Sequence, residues 1–259
     1  MSAREVSRDF DTLSSVYDDT RQPLPPETVR GLSEFVSEHR WRSILEVGVG
    51  TGRIARPLTE LGLDVVGVDV SRGMLERAAK KGLPYLVRGS ALHLPFRDRS
   101  FDVALFVHVL HILDDPGSGI REAGRVSRAG VLAVLDRPPE PGSPDRPPES
   151  SPREAVRRAL TEAGYPDLLR SGPHVKERAI LSAYPPSEIR VLSDREITEP
   201  LSRQLDIIEK RAYRHVLQIP PEVLAQAVSA ARVQVGTRTV TYRRREAVVW
   251  WPRRQRSST

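Results

Sequence analysis

The chain has 259 residues, enough for one large domain, and 39% of them are hydrophobic, which allows a substantial core. It contains no cysteine, which excludes disulfides, thiolate metal sites and a cysteine nucleophile. Residues 238–259 hold seven arginines and one glutamate and account for the whole formal net charge of +6, so the rest of the chain is neutral. No apolar run approaches the roughly 20 residues that span a bilayer, and residues 1–10 lack a signal-peptide pattern, so we expect a cytoplasmic protein with no membrane contact.

The first half of the chain alternates short apolar runs with stretches of helical periodicity. The run over 101–109 is mostly apolar, which is typical of a strand covered on both faces. Strands that alternate with helices predict a parallel sheet with right-handed crossovers. The expected strands are 44–47, 65–68, 85–87, 101–109 and 131–135, and the expected helices are 52–61, 71–81 and 119–126.

The second half begins after a stretch with seven prolines, residues 137–152, which predicts an extended loop because proline fixes φ and removes a donor. A capping-box spacing at 151–154 predicts a helix that ends near Gly164. A strand is expected over 189–197 and another over 237–251. Between them, helical spacing predicts helices over 201–216 and over 221–235, the second closed by Gly236.

A glycine-rich loop follows the first expected strand and opens the first helix. Residues 46–52 read Glu-Val-Gly-Val-Gly-Thr-Gly, a pattern that lets a ligand approach the backbone closely. A phosphate-binding P-loop would need Gly-Lys-Ser/Thr after this loop, and a dinucleotide fingerprint would need a glycine at position 53; both are disfavoured because the residue there is Arg53. Glu46 stands two residues before the first glycine, where an acid suits a cationic ligand better than a pyrophosphate.

A second acid, Asp69, ends the second expected strand, 17 residues after Gly52. A carboxylate at this position of a doubly wound sheet can accept both hydroxyls of a ribose. It can also cap the following helix, since Asp69 and Ser71 both precede that helix. The carboxyl ends of successive parallel strands converge on one crevice, so the two acids are expected to share a site.

With these motifs in order, the sequence resembles the class I S-adenosylmethionine-dependent methyltransferases, in particular the type 11, ubiquinone/menaquinone-biosynthesis-like group. The resemblance covers roughly residues 41–136, and the N-terminal Phe10-Asp11 and Tyr17-Asp18 with Arg21 resemble the segment that precedes the first strand in this group. The matching stretches are 45–53, 67–75, 89–96 and 101–104. The resemblance implies a Rossmann-like, doubly wound, seven-stranded and mostly parallel sheet with an antiparallel last strand, a single domain over 1–259 and a small helical lid over 200–236.

The resemblance also implies the cofactor S-adenosyl-L-methionine, with S-adenosyl-L-homocysteine as product and no metal. Ser90 is a departure, because the family usually has an aspartate there, and a hydroxyl is the weaker acceptor for the adenine amino group. The implied cofactor residues are Tyr17 and Arg21 for the carboxylate, Glu46, Gly48, Val49, Gly50 and Gly52 for the loop under the methionine chain, Asp69 for the ribose, Val70 and Met74 for the adenine faces, Ser90 and Ala91 for the adenine edge, and Val107 beside the methionine chain.

The methyl acceptor is open at this stage. A small molecule is the leading hypothesis; alternatives are an RNA or protein docked through the basic segment 238–256, and a module that binds the cofactor without catalysis. A nicotinamide dehydrogenase is disfavoured by Arg53. His108 and His111 follow the fourth strand and are candidate bases, because imidazole titrates near neutrality, or inert members of the segment that follows the strand. The helices over 200–236 either form a lid over the acceptor or cover one face of the sheet.

Overall fold

The computed structural model describes residues 3–21, 23–136, 152–165 and 173–253. The predicted Pro-rich loop lies outside these residues except for Pro152, which begins a helix. The strands are β1 (Ser43–Val47), β2 (Asp64–Asp69), β3 (Leu86–Arg88), β4 (Phe101–Val107), β5 (Ser127–Asp136), β6 (Glu188–Pro200) and β7 (Thr239–Pro252). The helices are α1 (Ala3–Thr20), α2 (Pro26–Glu38), α3 (Ala55–Glu60), α4 (Arg72–Lys80), α5 (Pro116–Val126), α6 (Pro152–Glu162), α7 (Pro173–Ala183), α8 (Leu201–Glu209) and α9 (Pro221–Val235), with 3-10 helices at Leu110–Ile112 and Arg214–Gln218.

All seven strands form one sheet in the order β3-β2-β1-β4-β5-β7-β6. The first five strands are parallel, whereas β7 is antiparallel to both β5 and β6. The strand order reverses between β1 and β4, so a crevice opens at the carboxyl ends of these strands. The predicted mostly parallel, seven-stranded sheet with an antiparallel last strand is therefore confirmed.

Alternate residues of each strand feed two hydrophobic layers, one on each face of the sheet. On β4, Val103 and Leu105 pack with α2 and α3, while Ala104 and Phe106 pack with α5 and α7. This alternation explains why β4 is apolar from Val103 to Val107, because both faces are covered there. The layers hold the carboxyl ends of β1, β2 and β4 in fixed register.

A third hydrophobic cluster joins α6, α8 and α9 away from the sheet. The helices α8 and α9 connect β6 to β7, which extend as a two-stranded ribbon beyond the end of β5. These three helices, with the 3-10 helix Arg214–Gln218, are called the helical cap below. Within the described residues, no helix combines the length and the apolar content needed to cross a bilayer.

The helix expected over 201–216 is shorter than its periodicity indicates. It ends at Glu209 because Arg211 adopts a left-handed backbone with φ of 55°. The Arg211 guanidinium fixes this turn by donating to the carbonyls of Leu217 and Ile219, each at 2.8 Å. Likewise β4 ends at Val107 rather than at 109, since His108 has φ of 54°. The helices α1, α2 and α7 were not predicted.

Candidate functional site

The glycine loop between β1 and α3 holds three glycines in left-handed conformations, with φ of 75° at Gly48, 56° at Gly50 and 79° at Gly52. A Cβ atom on Gly48 would lie 2.6 Å from Val109 Cγ2, and one on Gly52 would lie 2.3 Å from Leu83 Cδ1. A Cβ on Gly50 would meet no atom of the described residues within 4 Å. Gly48 and Gly52 are therefore required for packing, whereas Gly50 presents its backbone to open space.

Asp69 ties this loop to the end of β2. Its Oδ2 accepts from the Gly50 amide at 2.9 Å and its Oδ1 accepts from the Ser71 amide at 2.9 Å. Burial raises the pKa of Asp69, and the two amides partly counter that effect. Ser71 caps α4 by accepting from the Met74 amide at 3.1 Å, so capping falls to Ser71 and leaves Asp69 facing the crevice.

Glu46 lies beneath the loop and is only 2% exposed. Its carboxylate accepts from the Ala55 amide at the start of α3. Burial, with the charge of Asp69 adding to it, raises the pKa of Glu46 well above the ordinary value. Its Oε2 has no hydrogen-bond partner among the described residues. A positive charge brought into the crevice would stabilise the ionised form of this buried acid.

The loop, the ends of β2 and β4 and the helix α1 border a cleft. Of the residues predicted from the sequence, those that line it are Tyr17, Gly48, Gly50, Asp69, Val70, Met74, Ala91, Val107 and His108. The lining residues that sequence reasoning missed are Val6, Phe10, Val68, Gly89, Val109, Ile112 and Leu113.

Six predicted site residues do not line the cleft that the described residues form: Arg21, Glu46, Val49, Gly52, Ser90 and His111. The Val49 side chain is buried in the core against Gly67, so only its backbone faces the loop. The Ser90 hydroxyl already accepts from the Leu92 amide at 3.2 Å, within its own turn. Glu46 and Gly52 support the loop from below, and Arg21 and His111 lie in contacts described next.

Helix α1 closes the cleft through polar contacts to both neighbouring elements. Asp11 Oδ1 accepts from the Ser71 hydroxyl at 2.6 Å and from the Gly73 amide at 2.9 Å. Asp18 accepts from the Thr51 hydroxyl at 2.6 Å and pairs with Lys81 at 2.7 Å. The two acidic positions quoted from the N-terminal motif thus fasten α1 across the start of α4 and the glycine loop.

Helix α1 and the residue after it are also joined to the helical cap. Asp9 pairs with Arg214 at 2.8 Å. Arg21 donates to the Ala212 carbonyl at 3.1 Å, and its guanidinium lies 4.8 Å from the Tyr213 ring centroid and 5.4 Å from that of Tyr17. These cation–π contacts hold a positive charge beside Tyr17, a residue that lines the cleft.

His108 borders the cleft at the end of β4, with its Nε2 shielded and without a partner among the described residues. Burial, together with the neighbouring Arg53, lowers the pKa of His108 to about 3. Arg53 itself hydrogen-bonds the Tyr17 side chain. At neutral pH His108 is therefore an uncharged imidazole, which cannot hold a proton taken from an acceptor.

His111 lies in the 3-10 helix Leu110–Ile112 and contacts α7. Its Nδ1 is 3.1 Å from Glu177 Oε1. The sequence drew attention to His111 but not to Glu177, which is 66 residues away in the chain. Among the described residues, no group of three or more metal-binding side chains comes together.

Comparison with known proteins agrees with this geometry. Residues 45–135 match the family described as a methyltransferase domain. An uncharacterized methyltransferase of Mycobacterium tuberculosis is 35% identical over 131 residues, which cover 50% of this chain and 51% of that protein. A demethylmenaquinone methyltransferase of Corynebacterium kroppenstedtii is 34% identical over 131 residues, covering 49% of this chain and 57% of that protein. The matched part thus spans just over half the length of these relatives.

Solved structures show the same fold over a larger part of the chain. The YcgJ protein of Bacillus subtilis matches with a TM-score of 0.53 and 20% identity, covering 87% of this chain and 99% of that one. The [4+2]-cyclase SpnF matches with a TM-score of 0.52 and 18% identity, covering 96% of both chains. Residues 45–135 thus resemble a methyltransferase domain, and the chain as a whole shares the fold of these structures.

Proposed function

We propose that the protein is an S-adenosylmethionine-dependent methyltransferase that acts on a small-molecule acceptor. The observation that carries the proposal is the link from Asp69 to the Gly50 amide, which joins an acid at the end of β2 to a glycine loop open to the cleft. Asp69 accepts the amides of Gly50, Ser71 and Val70, and because a carboxylate has about four acceptor sites, one remains for a ribose hydroxyl. The buried, half-satisfied Glu46 suits a cationic amino acid above it.

The residues present fit this cofactor in the following way. The backbone of the glycine loop would lie under the methionine chain, with Glu46 supporting the loop from beneath. Asp69 would hold the ribose, and the apolar Val70, Met74 and Ala91 would enclose the adenine. Tyr17 would cover the carboxylate, with Arg21 acting through its stacking on Tyr17. Val107 and the uncharged His108 would lie beside the methyl group.

When bound, the cofactor supplies a methyl carbon that is already a strong electrophile. The chain then needs to bind the two reactants, orient them and exclude water. Orientation alone can lower the barrier by several kcal/mol, up to about 10. An uncharged His108 serves this purpose, because a protonated imidazole at the same place would repel a cationic sulfonium. The α1 helix, fastened at Asp11 and Asp18, would exclude water from the reacting atoms.

A small acceptor is supported by relatives that match about half of this chain. Several relatives are demethylmenaquinone methyltransferases, named for a small-molecule substrate. We further propose that the chain works as one domain and that residues 200–236 serve as a lid, since the cap contacts α1 through Arg21 and Arg214.

The alternative of an RNA or protein substrate would use the basic C-terminal segment. Its described arginines have partners within the chain: Arg243 and Arg245 pair with Asp194, and Arg244 pairs with Glu246 at 3.1 Å. Arg253 donates to the Ser127 carbonyl at 2.7 Å. Asp194 and Glu246 thus offset part of the positive charge of the described arginines, which weakens their attraction for phosphates. RNA affinity that falls steeply with salt would favour the alternative.

The alternative of a non-methylating protein is favoured by one fact, that a cyclase shares the fold. Calorimetry followed by an acceptor screen separates these functions. We expect the full chain to bind S-adenosylmethionine and S-adenosylhomocysteine and to bind NADH weakly or not at all. A labelled methyl group should then pass to a member of a small-molecule panel. Tight NADH binding without sulfonium binding would overturn the proposal, and cofactor binding with unchanged acceptors throughout would favour the non-methylating alternative.

A further inference from the structure

The strand β6 ends the sheet on one side, and in the described part of the chain no further strand pairs with its outer edge. Its first side chains alternate between two faces. On one face α2 covers the strand: the Arg190 guanidinium lies 4.5 Å from the Phe35 ring centroid, and Leu192 packs against the core. On the other face Ile189 and Val191 are each 49% exposed. This end of the sheet therefore combines an open edge with two large apolar side chains.

The open part of this edge is limited to residues 187–191. Exposed strand edges attract other strands, and proteins commonly block them with prolines, bulges or charges. Pro185 and Pro186 precede the segment and have no amide hydrogen to donate. A register shift between Val191 and Ser193 follows it, and the exposed side chains over 194–198 are polar. The segment between these blocks is long enough for one short strand pairing.

The charges of this segment match those of a second copy of itself. In an antiparallel pairing about a two-fold axis at Ile189, Glu188 lies opposite Arg190 of the second copy, and the same contact occurs twice. The two Ile189 side chains then meet at the axis, on the exposed face. An axis at either neighbouring residue would set like charges against each other, Glu188 against Glu188 or Arg190 against Arg190. The pattern therefore selects one register.

Contacts within the chain hold these two charges near the edge. Arg190 lies 3.0 Å from Glu188 and 2.6 Å from Glu38, through three of its N–H groups. A guanidinium has further donors beyond these. The Arg190 side chain is 37% exposed and that of Glu188 is 34% exposed, so both are accessible to a carboxylate or guanidinium across the edge.

We propose that the protein forms a two-fold dimer in which residues 187–191 pair antiparallel with the same residues of a second copy. The pairing joins two seven-stranded sheets edge to edge and covers Ile189 and Val191. The strands β5 and β7 separate β6 from β4, so the cleft stays open and the inference is independent of the proposed methyl transfer. Because the paired segment is short, the interface is small and the dimer should dissociate on dilution.

Sedimentation velocity of the full chain over a dilution series measures this association. We expect the mass to rise from that of one copy toward that of two as the concentration increases. Ile189→Lys should weaken the dimer about tenfold or more, because it sets two positive charges at the axis. Val233→Lys is the control, since Val233 on α9 is 84% exposed and lies outside the segment. A single copy at every concentration would overturn the proposal.

Exchange of the two charges tests the register. Arg190→Glu should weaken the dimer about tenfold, because it places two carboxylates opposite each other. The double variant Glu188→Arg/Arg190→Glu should restore most of the association. Because Arg190 also contacts Phe35, which lies 6.3 Å from Trp250, tryptophan fluorescence shows whether the variants keep this packing. An exchange that keeps the fluorescence and fails to restore the dimer would overturn the register.

Crosslinking decides the register without altering any charge. The chain has no cysteine, so one introduced thiol reports its own neighbours. Ile189→Cys should give a covalent dimer on oxidation, since opposite Cβ atoms in paired strands lie about 4.5–5.5 Å apart. Val191→Cys is equally exposed, but its two copies would lie about 13 Å apart along the strands, so it should crosslink severalfold less. Equal crosslinking at the two positions, or none at position 189, would overturn the pairing.

Discussion

Asp69→Asn is the substitution whose effect on cofactor binding the structure defines best. Asp69 accepts the Gly50 amide on one oxygen and the Ser71 amide on the other, each at 2.9 Å. An asparagine must turn its NH₂ group toward one of these amides, which sets donor against donor. It also removes the negative charge from the hydrogen bonds that the ribose hydroxyls would donate.

Hydrogen bonds to a charged group are worth about 1.5–3 kcal/mol each. Because asparagine keeps one carbonyl, we expect a net loss of about the value of one such bond, which is about a 10- to 150-fold weaker Kd. Isothermal calorimetry with S-adenosylhomocysteine measures it. Asp64→Asn is the matched control, since Asp64 begins the same strand, is exposed, and should leave the Kd unchanged.

A ligand lacking both ribose hydroxyls separates direct contact from damage to the loop. If Asp69 holds the ribose, Asp69→Asn should weaken binding of the analogue much less than binding of S-adenosylhomocysteine, because the ribose contact is already missing. The loss that remains with the analogue measures damage to the loop, and an equal loss with both ligands would mean that Asp69 acts only through the loop. An unchanged Kd for S-adenosylhomocysteine itself in Asp69→Asn would refute the ribose assignment.

Three further outcomes follow from the cleft. Gly50→Ala and Gly62→Ala should each lower stability by about 1 kcal/mol, because both glycines have a left-handed backbone; Gly62 has φ of 85° and equally open surroundings in the described structure. Only Gly50→Ala should abolish S-adenosylhomocysteine binding. Equal binding by the two variants in calorimetry would contradict the placement of the loop. The pKa of His108 in the folded protein, about 3, lies below the ordinary 6.5, so the stability that the neutral ring contributes is lost as pH falls from 6.5 toward 3. In urea unfolding, the difference in stability between the wild type and His108→Asn should therefore shrink from pH 7.5 to pH 5. A constant difference would speak against a buried neutral ring. A cationic ligand should lower the raised pKa of Glu46, so a proton should be released on binding. Calorimetry in buffers of different ionisation enthalpy detects this release. Glu46→Gln should abolish it, and an unchanged release would assign the proton to another group.

The parallel half of the sheet was predictable because its signals are local. The strands β1, β2, β4 and β5 are mostly apolar runs long enough to be buried, and glycine, serine or proline follows β1, β2 and β5. The glycines of the loop and Asp69 could be placed from their positions at strand ends, since parallel strands present their carboxyl ends at one edge. The structure then added what spacing cannot show, the hydrogen bond between Asp69 and Gly50.

The elements that were missed depend on contacts that are distant in sequence. Helix α1 has apolar residues at helical spacing, Val6, Phe10, Leu13 and Tyr17, which the sequence reading passed over. What the spacing could not show is that Asp11 and Asp18 fasten the helix to α4 and the glycine loop. Glu177 carries no motif, and its meaning comes only from the approach of α7 to His111. The helix over 201–216 was too long because a run of suitable spacing does not reveal the left-handed turn at Arg211.

The central claim is that the cleft over the glycine loop binds an adenosyl amino acid, and a crystal structure with S-adenosylhomocysteine tests it most directly. We expect the two ribose hydroxyls within hydrogen-bond distance of the Asp69 carboxylate, the adenine between Val70 and Met74, and the homocysteine chain over Gly50. An unoccupied loop at saturating ligand, or a ligand bound elsewhere on the molecule, would contradict the account.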